Sequence, residues 1–145
     1  MGTGIDKLKF VGQKNRSLRR IIMTTIKYIE LKTGYNDNGP AWIGKVKISR
    51  SGNTIYFNDH AFEKCNGISG NFIDIETGDE YWISGIKKNG ENRHWAGSDK
   101  IIIDSKIISE YLEIVGDKEI NKTKFVIEDI EDVFPVERIN RLLNH

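Results

Sequence analysis

The chain has 145 residues, 38% hydrophobic and 30% charged, which bounds it to an ordinary globular protein with one modest core. No apolar run approaches the ~18 residues of a membrane span, and a net charge of +1 lacks the strong basic excess of a non-specific nucleic-acid binder. The single cysteine, Cys65, leaves no intramolecular disulfide and no cysteine-only zinc site, and it fits a reducing, cytoplasmic setting.

Charge is unevenly spread. Residues 1–22 carry six bases against one acid, residues 23–103 are balanced, and residues 104–145 carry six bases against ten acids. The leader has no apolar stretch of the secretory kind, and Met23-Thr24-Thr25 resembles a start, so residues 1–22 are expected to be a basic N-terminal extension, disordered or not native. From Ile26 the period is two. Residues 26–32 form a candidate first strand, and the loop formers Thr33 to Pro40 follow. In residues 42–49, Trp42, Gly44, Val46 and Ile48 share one face while Ile43, Lys45 and Lys47 share the other, and a turn at 50–53 leads into 54–58.

After a looser stretch from His60 to Gly70, residues 71–76 and 81–88 predict a second hairpin, with Ile73 and Ile75 inward and Asp74 and Glu76 on the solvated face. Gly85 predicts a mid-strand bend, and Asn89-Gly90 is the strongest hairpin dipeptide in the chain. Residues 100–103 close the strand set. Short strands with frequent glycine and no intervening helix predict a mainly β fold, a small, strongly bent antiparallel barrel of SH3-like or OB-like type with C-terminal helical elements. Asp104 or Ser105 can cap a helix with the stripe Ile107, Ile108, Tyr111, Leu112 and Val115, ended by Gly116. Residues 23–116 are thus barrel plus helix. Residues 117–145 are an acidic extension with a candidate strand at 124–127 and a short helix opened by Pro135, whose buried side is Val136, Ile139, Leu142 and Leu143.

The segments Glu30-Leu31-Lys32-Thr33-Gly34-Tyr35-Asn36-Asp37-Asn38-Gly39-Pro40-Ala41-Trp42, Glu80-Tyr81-Trp82-Ile83-Ser84-Gly85 and Arg93-His94-Trp95-Ala96-Gly97-Ser98 resemble a family of short, uncharacterised bacterial proteins. Some of these carry the automated name deoxyxylulose-phosphate synthase. A thiamine-diphosphate enzyme of that kind needs a far longer chain, and no diphosphate or magnesium motif is present. The resemblance therefore implies a coherent unit from the first strand through the first helix and carries over no catalytic residue or cofactor.

His60, Glu63, Cys65 and His94 match no established metal-ligand spacing, so no metal is assigned. The best candidate segment runs from Lys87 to Trp95, where Lys87, Lys88, Arg93, His94 and Trp95 join positive charge, a titratable ring and an indole at an accessible turn. Tyr35 and Trp42 flank the first long loop. If the two loops meet, Tyr35, Trp42, Arg93, His94 and Trp95 can form one aromatic and cationic pocket. The expected function is a non-enzymatic interaction module binding a protein partner or nucleic acid, with no cofactor and no membrane contact. The alternative is a small hydrolase of phosphodiester or glycosidic bonds, with His94 as acid or base, Arg93 stabilising charge and Asp74 or Glu76 as carboxylate partner.

Overall fold

The computed structural model describes residues 20–94 and 97–144, with Ile22 described by its backbone alone. Six antiparallel strands form a closed barrel: β1 (Ile21–Leu31), β2 (Ala41–Ser49), β3 (Thr54–Phe57), β4 (His60–Lys64), β5 (Phe72–Asp74) and β6 (Glu80–Ser84). Each pairs with its neighbour in sequence, and β1 closes on β6 through Ile29↔Ile83 and Leu31↔Tyr81. The order is a meander, without the Greek-key crossing of an OB-fold. Two further strands, β7 (Ile101–Asp104) and β8 (Phe125–Glu128), extend the sheet in parallel from β2. The helices are α1 (Ile108–Val115) and α2 (Val136–Leu143). Neither helix is long and apolar enough to cross a membrane.

Strand β2 serves three neighbours. Along one edge it pairs with β1 over nearly its whole length, while its other edge is shared between β7 at Trp42 and Ile43 and β3 at Lys47 and Ile48. Gly44 lies at this change of partner. A Cβ there would stand 2.7 Å from the Phe57 ring, so the absence of a side chain is what lets that ring lie against the strand.

Three apolar clusters follow from the pleat. Ile29, Val46, Ile55, Phe62, Tyr81 and Ile83 fill the barrel, joined by Ile130 from the C-terminal segment. Outside, Ile26, Tyr28, Ile43, Ile103 and Phe125 pack under Ile107 and Tyr111 of the α1 region. A third cluster joins Tyr56 and Ala61 to Ile139 of α2. Strands β1 and β2 are therefore covered on both faces, which is why Ile43 and Val46 are both buried.

Several sequence expectations are corrected. The stretch beginning at His60 contains β4, joined to β3 by a two-residue turn in which Asn58 and Asp59 have φ of 47° and 66°. It is β4 that completes the barrel, while residues 101–104 lie outside the closed ring. In β5 the pleat is opposite to that expected: Phe72 and Asp74 are buried, and Ile73 and Ile75 are half-buried. The Asp74 carboxylate accepts from the Glu76 and Thr77 amides at 2.9 and 3.2 Å, and building that turn fixes the register. Ile48 is likewise half-buried. β6 stops at Ser84, so Gly85 follows the strand instead of bending its middle.

Asn89-Gly90 makes a turn, with Gly90 N–H donating to Lys87 O, yet among the described residues no paired strands flank it. The Asn92 side chain takes the place of a ladder by bonding Lys87 N and Gly85 O. In α2, Ile139 is fully buried and Val136 and Leu143 half-buried, but Leu142 is 50% exposed. The leader's boundary lies in a strand, since β1 begins at Ile21 and Arg20 O accepts from Arg50 N. Residues 1–19 lie outside the described residues.

Candidate functional site

Because strand side chains alternate, Tyr28 and Glu30 leave the barrel wall on the side opposite Ile29. The pairing Glu30↔Trp82 sets the Trp82 indole beside them on β6. Glu30 is 2% exposed, and a carboxylate so buried persists only if its oxygens are satisfied. Tyr28 Oη donates to Glu30 Oε1 at 2.5 Å, and Lys32 Nζ donates to Glu30 Oε2 at 3.1 Å. Burial and the Glu30 acceptor push the Tyr28 hydroxyl well above the ordinary phenol value. Lys32 also reaches Asp37 Oδ1 at 3.3 Å.

The β1–β2 and β6–β7 loops meet over this wall. Arg93 donates from Nη1 to Asp37 O at 2.7 Å and from Nη2 to Gly39 O at 3.0 Å. Its Nη1 lies 3.9 Å from Glu30 Oε2, and its buried Nε–H has no acceptor among the described residues. His94 Nδ1 stands 3.2 Å from Asp37 Oδ2, and the Ser98 amide donates to Asn38 Oδ1 at 2.8 Å. Gly97 permits the approach, since a Cβ there would fall 2.3 Å from Asp37 O. Between the loops and the outer faces of β1 and β6 lies a cleft of about 530 Å³, lined by Glu30, Lys32, Asp37, Ser69, Trp82, Lys87, Glu91, Asn92, Arg93 and His94. Trp82 is 43% exposed, and its indole is the apolar surface in an otherwise polar lining. On the same side, the half-buried Glu80 carboxylate accepts from the Ser69 and Gly70 amides at 3.0 and 2.9 Å, which holds it below the usual carboxylate range.

Of the residues singled out from sequence, Lys87, Arg93 and His94 come together here, and the two loops are adjacent. Trp42 does not join them: it packs against the barrel interior, its ring centroid 6.4 Å from that of Phe57. Tyr35 is 49% exposed and Lys88 is exposed, and neither lines the cleft. Trp95 lies outside the described residues. The Asp74 carboxylate accepts from His60 Nδ1–H at 2.9 Å, and Glu76 accepts from Arg138 at 2.9 and 3.1 Å, so the carboxylate beside His94 is Asp37.

Sequence reasoning missed Tyr28, Glu30, Lys32, Trp82 and Ser69. A polar residue at alternate strand positions looks identical whether it meets water or a loop, and only a long, polar following loop hinted at cover. No protein-family model matches the chain, and neither curated proteins nor solved structures gave a significant match.

Proposed function

We propose that the protein is a non-enzymatic interaction module whose cleft over β1 and β6 takes a polar segment of a protein partner, with Trp82 as the apolar anchor. The observation that carries this reading is the exposed Trp82 indole beside a polar wall already held in place by the Arg93, Lys32 and Asn38 contacts. Tryptophan is enriched among residues that dominate binding energy, and a wall ordered beforehand lowers the entropic cost of association. A nucleic acid fits less well. Three carboxylates, Glu30, Asp37 and Glu91, stand in the lining against the three cations Lys32, Lys87 and Arg93, so the cleft offers little net field to a polyanion.

The test is a photo-crosslinking side chain at Glu91, on the rim, in lysate of the source cells. A protein adduct that survives nuclease and disappears in Trp82→Ala supports the module. A nuclease-sensitive adduct moves the partner to nucleic acid, and an adduct indifferent to Trp82→Ala removes the cleft from the reading. Hydrolysis is the second reading, favoured by the Asp37–His94 pair with Ser69 in the same lining. Against it, Arg93 already gives two nitrogens to loop carbonyls. Turnover of bis(p-nitrophenyl) phosphate or an aryl glycoside, lost in His94→Ala, supports this second reading, and inert wild-type protein retires it for those bond types.

A further inference from the structure

The sheet ends at β8, whose ladder partner among the described residues is β7 alone. In that parallel ladder Ile101 N–H donates to Lys124 O at 2.9 Å, so residues 124, 126 and 128 turn their peptide groups towards β7 while Phe125 and Ile127 turn theirs away. Phe125 N–H is taken by Asn121 O. The Phe125 carbonyl and both peptide groups of Ile127 therefore face outward, without a described backbone partner. Val126 and Ile127 are 38% and 40% exposed, and beside the edge runs a groove of about 1170 Å³ whose apolar lining includes Ile108, Leu112 and Ile127. An exposed apolar edge of this kind is a template for another strand.

The charges of the segment specify which strand. Lys122 and Lys124 precede the apolar residues, and Glu128, Asp129 and Glu131 follow them. A parallel in-register copy would set like charges together, whereas an antiparallel copy sets each basic half against an acidic half. We infer that β8 pairs antiparallel with β8 of a second copy of this chain, about a twofold axis at Val126. In this register each Ile127 N–H meets the carbonyl of the partner's Phe125, Val126 faces its own copy, and Lys124 stands opposite the partner's Glu128, twice by symmetry. Moving the axis to Ile127 keeps a ladder but sets Lys124 opposite the partner's Ile130. Lys124 must leave Glu91, at 3.6 Å, and that pair is exposed on both sides, where an ion pair contributes little.

Sedimentation velocity of the full chain from micromolar to hundreds of micromolar tests the inference. Wild-type protein is expected to dimerise reversibly, while Lys124→Glu and Glu128→Lys are each expected to weaken self-association by about tenfold or more, since each sets two pairs of like charges opposite one another. An equimolar mixture of these two variants restores opposite charges at both positions and is expected to form a heterodimer. Circular dichroism checks that both remain folded. A wild-type chain monomeric throughout, a dimer indifferent to both substitutions, or a mixture that stays monomeric overturns the pairing. Sedimentation reads self-association alone, so a failure of the pairing leaves the reading of the Trp82 cleft to its own crosslinking test.

Discussion

Arg93 acts as a bracket between two loops that are far apart in sequence. Its planar fork reaches two carbonyls at once, Asp37 O and Gly39 O, from a side chain only 8% exposed. Lysine has the charge without the fork, so Arg93→Lys keeps at most one of these bonds. The expected loss is about 1–3 kcal/mol in urea unfolding, the range for a buried charged donor whose partners are left unmet. Amide exchange should accelerate across residues 33–40 and not in β3. Gly44 is constrained in the opposite sense, by a neighbour already in place. Gly44→Ala brings a Cβ to 2.7 Å from the Phe57 ring, which must move within a filled barrel, at a cost of about 1–3 kcal/mol. An unchanged urea midpoint would show that the ring gives way freely.

At the scale of elements, C-terminal helix α2 is fastened to the barrel in two ways. Ile139 is fully buried against Tyr56 and Ala61, and Arg138 spans Asp59 Oδ1 at 2.8 Å and both Glu76 oxygens. These hydrogen bonds hold the Arg138 guanidinium further towards its charged form than usual. Ile139→Ala should cost about 2–5 kcal/mol, and Arg138→Ala, a largely exposed contact, clearly less. Comparable losses in the two variants would contradict this ranking.

The helix was legible from Pro135 and the spacing of Val136, Ile139 and Leu143, but its apolar stripe is one position narrower than the sequence suggests. Leu142 lies at the margin of the stripe and turns to solvent. Gly116 as terminator of α1, with φ of 78° and its amide on Leu112 O, was legible for the same reason: few residues adopt that conformation. Strand β4 was hidden because its turn uses Asn58-Asp59 in place of the commoner Asn-Gly, although both residues tolerate positive φ. The candidate site was half legible. Arg93 and His94 stand in a turn segment dense in charge outside the regular strands, which draws the eye in the sequence, whereas Tyr28, Glu30 and Trp82 lie in strands whose outer face looked solvated or simply apolar.

For the molecule as a whole, barrel closure ties local titration to global unfolding. Tyr81 lies in the barrel interior, and burial, with Asp74 and Asp79 nearby, pushes its phenol up to about 12; burial and Glu30 raise Tyr28 as well. An unfolded tyrosine ionises near ~10, so above that pH the folded state retains protons that the unfolded state has released. Their contribution is complete below the unfolded value and is lost as pH rises through the folded one. Glu80 carries the opposite sign: its pKa is depressed by the Ser69 amide first and the Gly70 amide next. Its contribution is complete above the unfolded value near ~4.3 and is lost as pH falls through the depressed folded value. Stability measured by urea should therefore form a plateau with two separable limbs. Tyr81→Phe should make the alkaline limb shallower, and Glu80→Gln should lower the plateau but converge with wild type in acid. Because Tyr81 cannot meet water while the barrel stays closed, its phenolate absorbance should rise together with the loss of tertiary circular dichroism. Phenolate absorbance that is present in wild type, missing from Tyr81→Phe and appears well before that loss would show that the barrel opens at β6, beside the cleft.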